Sequence, residues 1–363
     1  MLSSYPKKAK AIRWHDLGDL RLDTIDVPKL KDGQVLVRNL YAGICGSDRH
    51  SWHFGTFMDK TSSLNYPAIL GHEGSGEIIA IGKNVECDAV GQPIKEGDMV
   101  AYHDVLGCGK CMFCRQGAGN VCKDVKVAGM KPGNFVEYYT YPVSQIIKVE
   151  GVNPRHAALI EPASVVVHGN RLVDKNILGN TVLILGAGPI GLFRTQFVKN
   201  EGATNVIVTE VEEMKRKIAQ ELGADIVVDP RKENVVKLVE DVTSGYGADV
   251  VFEDVGSPET QLLALDAVRP HGTVIMNGIS TSPVTLNFLD KVQFREITIK
   301  GSLAVSRFWD RAHDYIIVAS MIKAGKLQLD PLISHEFPLE KYEEAFKISD
   351  ESSKSIKVLF NMT

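Results

Sequence analysis

The run Thr181-Val182-Leu183-Ile184-Leu185-Gly186-Ala187-Gly188-Pro189-Ile190-Gly191 decides the fold. Its first five residues read as a strand buried on both faces. A helical stretch follows from Ile190 to about Glu201. The glycines have the spacing G-x-G-x-x-G, which is weak alone and informative between a strand and a helix. Gly186 permits the tight turn. Gly188 lacks a Cβ, so a pyrophosphate can lie against the backbone. Gly191 lets helix and strand pack closely, and the helix start offers free N–H donors to phosphate. Pro189 and Ile190 complete the candidate cofactor turn.

The next strand is Val206-Ile207-Val208-Thr209, and Glu210 ends it. A carboxylate there accepts ribose hydroxyls and repels a 2′-phosphate, which favours NAD. Lys215 and Arg216 partly offset that repulsion, so NADP use is possible. Further strands at 226–228, 250–252, 272–276 and 297–299 alternate with a helical stretch at 212–223 and other connecting segments. That rhythm predicts a doubly wound parallel sheet of α/β class over residues 166–303. Candidate nicotinamide contacts at its strand ends are Val255, Asn277, Gly278 and Ile279.

Residues 1–165 have another texture: short alternating runs such as Val35-Leu36-Val37-Arg38-Asn39-Leu40, closely punctuated by turn residues. They predict an all-β region of barrel or sandwich type. With 363 residues, two domains are expected. Hydrophobic residues make up 44% and the net charge is −4, so no basic field recruits nucleic acid. No apolar run reaches the about 18 residues of a membrane span. A cytoplasmic location is the expectation.

Four of the six cysteines, Cys108, Cys111, Cys114 and Cys122, fall within fifteen residues. Four soft thiolates from one lobe, residues 107–123, suit a closed structural zinc site. Cys45, His72, Glu73 and Glu161 are scattered, and spacing alone leaves them open to a purely structural reading.

Taken in order, Gly43 to His50, Gly71 to Gly76, Gly97 to Val100, the four-cysteine lobe, Glu161-Pro162, Gly186 to Gly191 and Leu222 to Asp225 resemble the zinc-containing medium-chain alcohol dehydrogenase superfamily. The resemblance covers about residues 8 to 361. It implies a GroES-like β catalytic domain, 1–165 and 304–363, and a Rossmann domain, 166–303. It implies that Cys45, His72 and Glu161 hold a catalytic zinc, with Glu73 orienting or visiting the metal. Ser47 and His50 then form a proton relay. A glutamate at the Glu161 position points to the polyol and sugar branch, similar to sorbitol dehydrogenases. The expected reaction is oxidation of a secondary alcohol to a ketone with NAD or NADP. Alternatives are an aldose 1-dehydrogenase, a threonine dehydrogenase or a butanediol dehydrogenase. The sequence Ile299-Lys300-Gly301-Ser302-Leu303-Ala304-Val305 lacks the Arg-Tyr pair of sorbitol dehydrogenases. Trp52, His53 and Phe54 are candidates for a substrate wall or for core packing. A homotetramer is the expected assembly, with no nucleic-acid or membrane partner.

Overall fold

The computed structural model describes residues 5–55, 66–103, 105–127, 132–174, 176–305 and 313–363. The chain separates into two compact units. One holds Met1–Ser164, Ala304–Ala324 and Ile333–Thr363; the other holds Val165–Leu303 and Gly325–Leu332.

The second unit is built on a six-stranded sheet. Across it run Ile226–Val228, Asn205–Thr209, Thr181–Leu185, Ala248–Glu253, Val268–Met276 and Thr298–Gly301. Every neighbouring pair is parallel. The order reverses beside Thr181–Leu185, which makes its carboxyl end the topological switch point. All five residues of that strand are buried. Leu183 and Leu185 pack with Ile207, Val239, Val251, Leu265 and Val274. Truncating one such leucine to alanine costs about 2–5 kcal/mol, because the cavity collapses only in part. Helix Pro189–Asn200 follows at once, with Pro189 in its first turn, where the missing N–H is harmless.

The first unit carries a seven-stranded sheet. Its path is Ile333–Phe337, Lys357–Asn361, Gln34–Gly43, Glu73–Ile81, Met99–Tyr102 and Ile146–Lys148, and Tyr138–Pro142 also pairs with Gln34–Gly43. A smaller sheet joins Asp19–Asp26, Lys8–Asp16 and Ala68–Ile69. Trp14, Ile44, Leu70, Phe135, Phe346 and Phe360 share one core. The last strand returns antiparallel to Gln34–Gly43, with Leu359 opposite Gly43, and Gly43 lies opposite Glu73. This register brings Lys357 to Glu73.

The region is not purely β. Helix Gly46–Phe54 interrupts it and carries Ser47 and His50. Helix Ile160–Arg171 carries Glu161 in its first turn. Among the described residues, no helix is long and apolar enough to cross a membrane.

Candidate functional site

At the switch point Gly186 has φ +96°, a left-handed conformation that disfavours a side chain. A Cβ on Gly191 would lie 2.0 Å from the Gly186 carbonyl oxygen, so only glycine fits. A Cβ on Gly188 would meet nothing within 4 Å, so the backbone there stands open. Such a cradle fits a pyrophosphate. Glu210 is 9% exposed. Its Oε2 accepts the Ala187 N–H at 2.9 Å and its Oε1 accepts the Glu212 N–H at 2.9 Å. The carboxylate therefore sits directly on the glycine turn. Lys215 is buried one turn into helix Glu213–Glu221.

Arg216 donates to the carbonyls of Glu210 and Val211 at 2.8 and 2.7 Å. Arg231 donates to the Val211 carbonyl at 2.7 Å and grips both oxygens of Asp229 at 2.9 and 2.7 Å. The guanidinium of Arg231 holds the Asp229 carboxyl well below the usual carboxylate range. Sequence reading missed Asp229 and Arg231, although an acid-Pro-Arg turn at a strand end was the available signal.

Farther along the same edge, the loops bearing Val255 and Asn277–Ile279 meet. A Cβ on Gly278 would lie 2.2 Å from the Gly256 nitrogen. Val255 and Ile279 are exposed.

In the other unit, Cys45 caps helix Gly46–Phe54. Asp48, fully buried, accepts the Cys45 N–H at 3.0 Å and the Gly71 N–H at 3.2 Å. Its Oδ1 stands 3.6 Å from Nδ1 of His72. One ligand atom each from Cys45, His72 and Glu73 lie within 4.8 Å of one another. Glu161 is buried, and its charge reaches Lys357. Lys357 Nζ donates to Glu73 at 2.7 and 2.5 Å and to the Ile44 carbonyl at 3.2 Å. Burial alone would lower the His72 pKa, yet Asp48 and Cys45 hold it well above its ordinary value. Likewise burial opposes the charge on Lys357, and Glu73 more than restores it. Asp48 and Lys357 were absent from the sequence expectation.

Ser47 and His50 are half-buried on one helix at a spacing of three, hence on one face. Burial pushes the His50 imidazole down. Trp52 packs edge-on against Phe346 of the core. His53 pairs with Asp350 at 3.0 Å and Phe54 is exposed.

The four lobe cysteines also converge within 4.8 Å. Cys111 and Cys122 sulfurs are 3.8 Å apart. Backbone N–H groups of Lys110 and Cys111 draw the Cys108 thiol down to about 7, and burial pushes Cys114 up to about 12. The lobe has a thin apolar core of Val105, Cys122 and Val125. Four thiols in this arrangement, and the thiol, imidazole and carboxylate of the other group, both match the donor preferences of zinc.

Two family models match the chain: the alcohol dehydrogenase GroES-like domain over residues 31–151, and zinc-binding dehydrogenase over residues 189–322. The chain belongs to the zinc-containing alcohol dehydrogenase family. L-threonine 3-dehydrogenase from Pyrococcus horikoshii is 37% identical over 93% of each chain. Among solved structures, 2R,3R-butanediol dehydrogenase from Bacillus subtilis has a TM-score of 0.86 at 28% identity, covering 97% of this chain and 99% of its own. Galactitol-1-phosphate dehydrogenase from Escherichia coli has a TM-score of 0.86 at 26% identity, covering 97% and 99%. Relatives have been crystallised with NADP and with NADH. The dehydrogenase is thus an NAD(P)-linked oxidoreductase acting on CH–OH groups, with a GroES-like domain and a Rossmann-type sheet.

Proposed function

We propose that this dehydrogenase oxidises a secondary hydroxyl of a small polyol or sugar to a ketone, with NAD preferred and NADP tolerated. The observation that carries the reading is the convergence of Cys45, His72 and Glu73 backed by Asp48 and Lys357. Cys45, His72 and Glu161 would hold a zinc ion, with Glu73, beside the first two and paired to Lys357, orienting the site. One thiolate and one carboxylate neutralise the divalent charge. When bound, zinc polarises the substrate hydroxyl and the nicotinamide takes up the hydride.

The chain's own residues orient the parts and move the proton. Asp48 fixes the imidazole of His72 from behind. Lys357 anchors Glu73 and keeps its buried charge compensated. Ser47 and His50 carry the released proton outward, and the lowered pKa of His50 favours passing it on near neutral pH. Gly186, Gly188, Pro189, Ile190 and Gly191 cradle the pyrophosphate. Glu210 turns from the Ala187 N–H to the ribose, with Lys215 beside it. Val255, Asn277, Gly278 and Ile279 seat the nicotinamide. The four-cysteine lobe holds a second, structural zinc.

L-threonine is the second reading, because its 3-hydroxyl is a secondary alcohol and a 37% identical relative bears that name. A panel of polyols, aldoses, L-threonine and 2,3-butanediol, each with NAD and NADP and followed by reduced-cofactor absorbance, separates the readings. Ketone formation from a polyol supports the first; turnover of L-threonine alone replaces it with the second.

Assembly with further copies also belongs to this reading. The strand Thr298–Gly301 is one edge of the sheet among the described residues, and Phe288, Phe294 and Ile299 are exposed nearby. Unpaired edges with apolar side chains invite another chain. Light scattering should report a homo-oligomer, expected to be a tetramer; a monomer would reject this point.

A further inference from the structure

Glu253 ends the strand Ala248–Glu253 and is fully buried. Its register neighbours are Leu185 on one side and Met276 on the other, so it stands on the carboxyl edge. Its side-chain partners are two backbone N–H groups and a hydroxyl. Oε1 accepts the Val255 N–H at 3.0 Å, the Gly256 N–H at 2.8 Å and the Thr260 hydroxyl at 2.7 Å. Its main-chain carbonyl accepts the Asn277 N–H at 2.9 Å and the Gly278 N–H at 2.8 Å. One residue thus ties down four N–H groups in two separate loops.

Those loops then lock backbone to backbone. Gly256 has φ +84°, and a Cβ there would lie 2.4 Å from the Ile279 carbonyl oxygen. Outward from this joint stand two β-branched side chains, Val255 and Ile279, 49% and 54% exposed. Apolar side chains held open at the ligand-binding edge of such a sheet suit the face of a flat ring. Two buried acceptors, Oε2 of Glu253 and Oδ1 of Asn277, have no hydrogen-bond partner among the described residues. Groups of that kind call for an explanation, and at Asn277 the amide N–H of a carboxamide supplies one.

We propose that Glu253 is a positioning residue for the nicotinamide ring: it fixes the two loops whose Val255 and Ile279 side chains seat that ring. This rests on the placement of the nicotinamide given under Proposed function. Glu253 touches neither cofactor nor substrate and acts through the loops.

The test compares NADH with ADP-ribose, which has the adenine, ribose and pyrophosphate but no nicotinamide. In calorimetric titrations, E253A should weaken NADH binding about tenfold and leave ADP-ribose within about twofold, since removing the carboxyl acceptor frees the Val255 and Gly256 N–H groups of the ring's seat and leaves the bonds to the main-chain carbonyl in place. E253Q keeps an acceptor for the same N–H groups and should restore most of the NADH affinity. Should E253A fail to fold, E253D keeps the carboxyl group, shortens its reach by one methylene, and carries the same selective loss. Equal weakening of both ligands, or no weakening of NADH, overturns the inference. If the unaltered protein binds neither ligand, the cofactor reading falls and takes this inference with it. If it binds both and the variants show no selectivity, only this inference falls.

Discussion

A buried lysine on a buried glutamate is the most informative contact at the scale of single residues. Lys357 and Glu73 are 3% and 1% exposed and are compensated by each other. Lys357→Met leaves the Glu73 carboxylate uncompensated, which should cost about 3–5 kcal/mol in urea unfolding. A loss below about 1 kcal/mol would mean that Glu73 finds another partner. His72 gives a second prediction. Its raised pKa favours the protonated imidazole in the metal-free protein. A metal competes with that proton, so zinc affinity at this group should fall as pH falls, with net proton release on binding. Calorimetry in buffers of different ionisation enthalpy measures the release; proton-neutral binding would contradict the arrangement. Neither partner was legible in the sequence for the same reason. Lys357 lies 284 positions from Glu73 and meets it only through the returning strand. Asp48 was nearer to hand, since an acid three residues after a helix cap is a local signal, but cysteine is a poor indicator of a cap.

At the scale of elements, the glycine turn separates two roles that the motif runs together. Gly188→Ala adds a Cβ into open space at φ −67°, so the fold should keep its melting temperature while NADH binding falls sharply. Gly191→Ala drives a Cβ against the Gly186 carbonyl and should lower the melting temperature itself. Calorimetric melts and NADH titrations on both variants check this; identical behaviour would mean that Gly188 does not face the pyrophosphate. In the cysteine lobe, metal-free protein at neutral pH should be alkylated faster at Cys108 than at Cys114, since the thiolate is the reactive form. Peptide mapping after brief iodoacetamide treatment gives the order. The strand and turn at Thr181–Gly191 were legible because apolar run, glycines and helix start all agree. Helix Gly46–Phe54 was not, because its buried residues are Asp48 and Ser51 and it has no apolar stripe to betray it.

At the scale of the whole molecule, the sequence order of motifs told the class of fold, since a switch from period-two runs to strand–helix alternation marks two kinds of sheet. The sequence could not tell which distant acid joins Cys45 and His72. Glu73 comes within 4.8 Å of both, and Glu161, to which the family resemblance points, is buried with its charge reaching Lys357. Global stability should also respond to His168. Burial, aided by the charge of Arg171, lowers its pKa from 6.5 to about 4. The folded state therefore keeps it neutral while the unfolded chain takes up the proton. Stability should fall as pH drops from about 6.5 to about 4, by roughly 3 kcal/mol, and this contribution should level off below. His168→Gln should flatten that part of the profile in denaturant titrations.

The central claim is that Cys45, His72 and a carboxylate hold a zinc ion needed for alcohol oxidation. Elemental analysis of the purified protein and of Cys45→Ser, with turnover measured on the same samples, tests it most directly. The account expects about two zinc ions per chain falling to about one, with NADH binding kept and turnover lost. Full turnover in Cys45→Ser, or an unchanged zinc content, would contradict it.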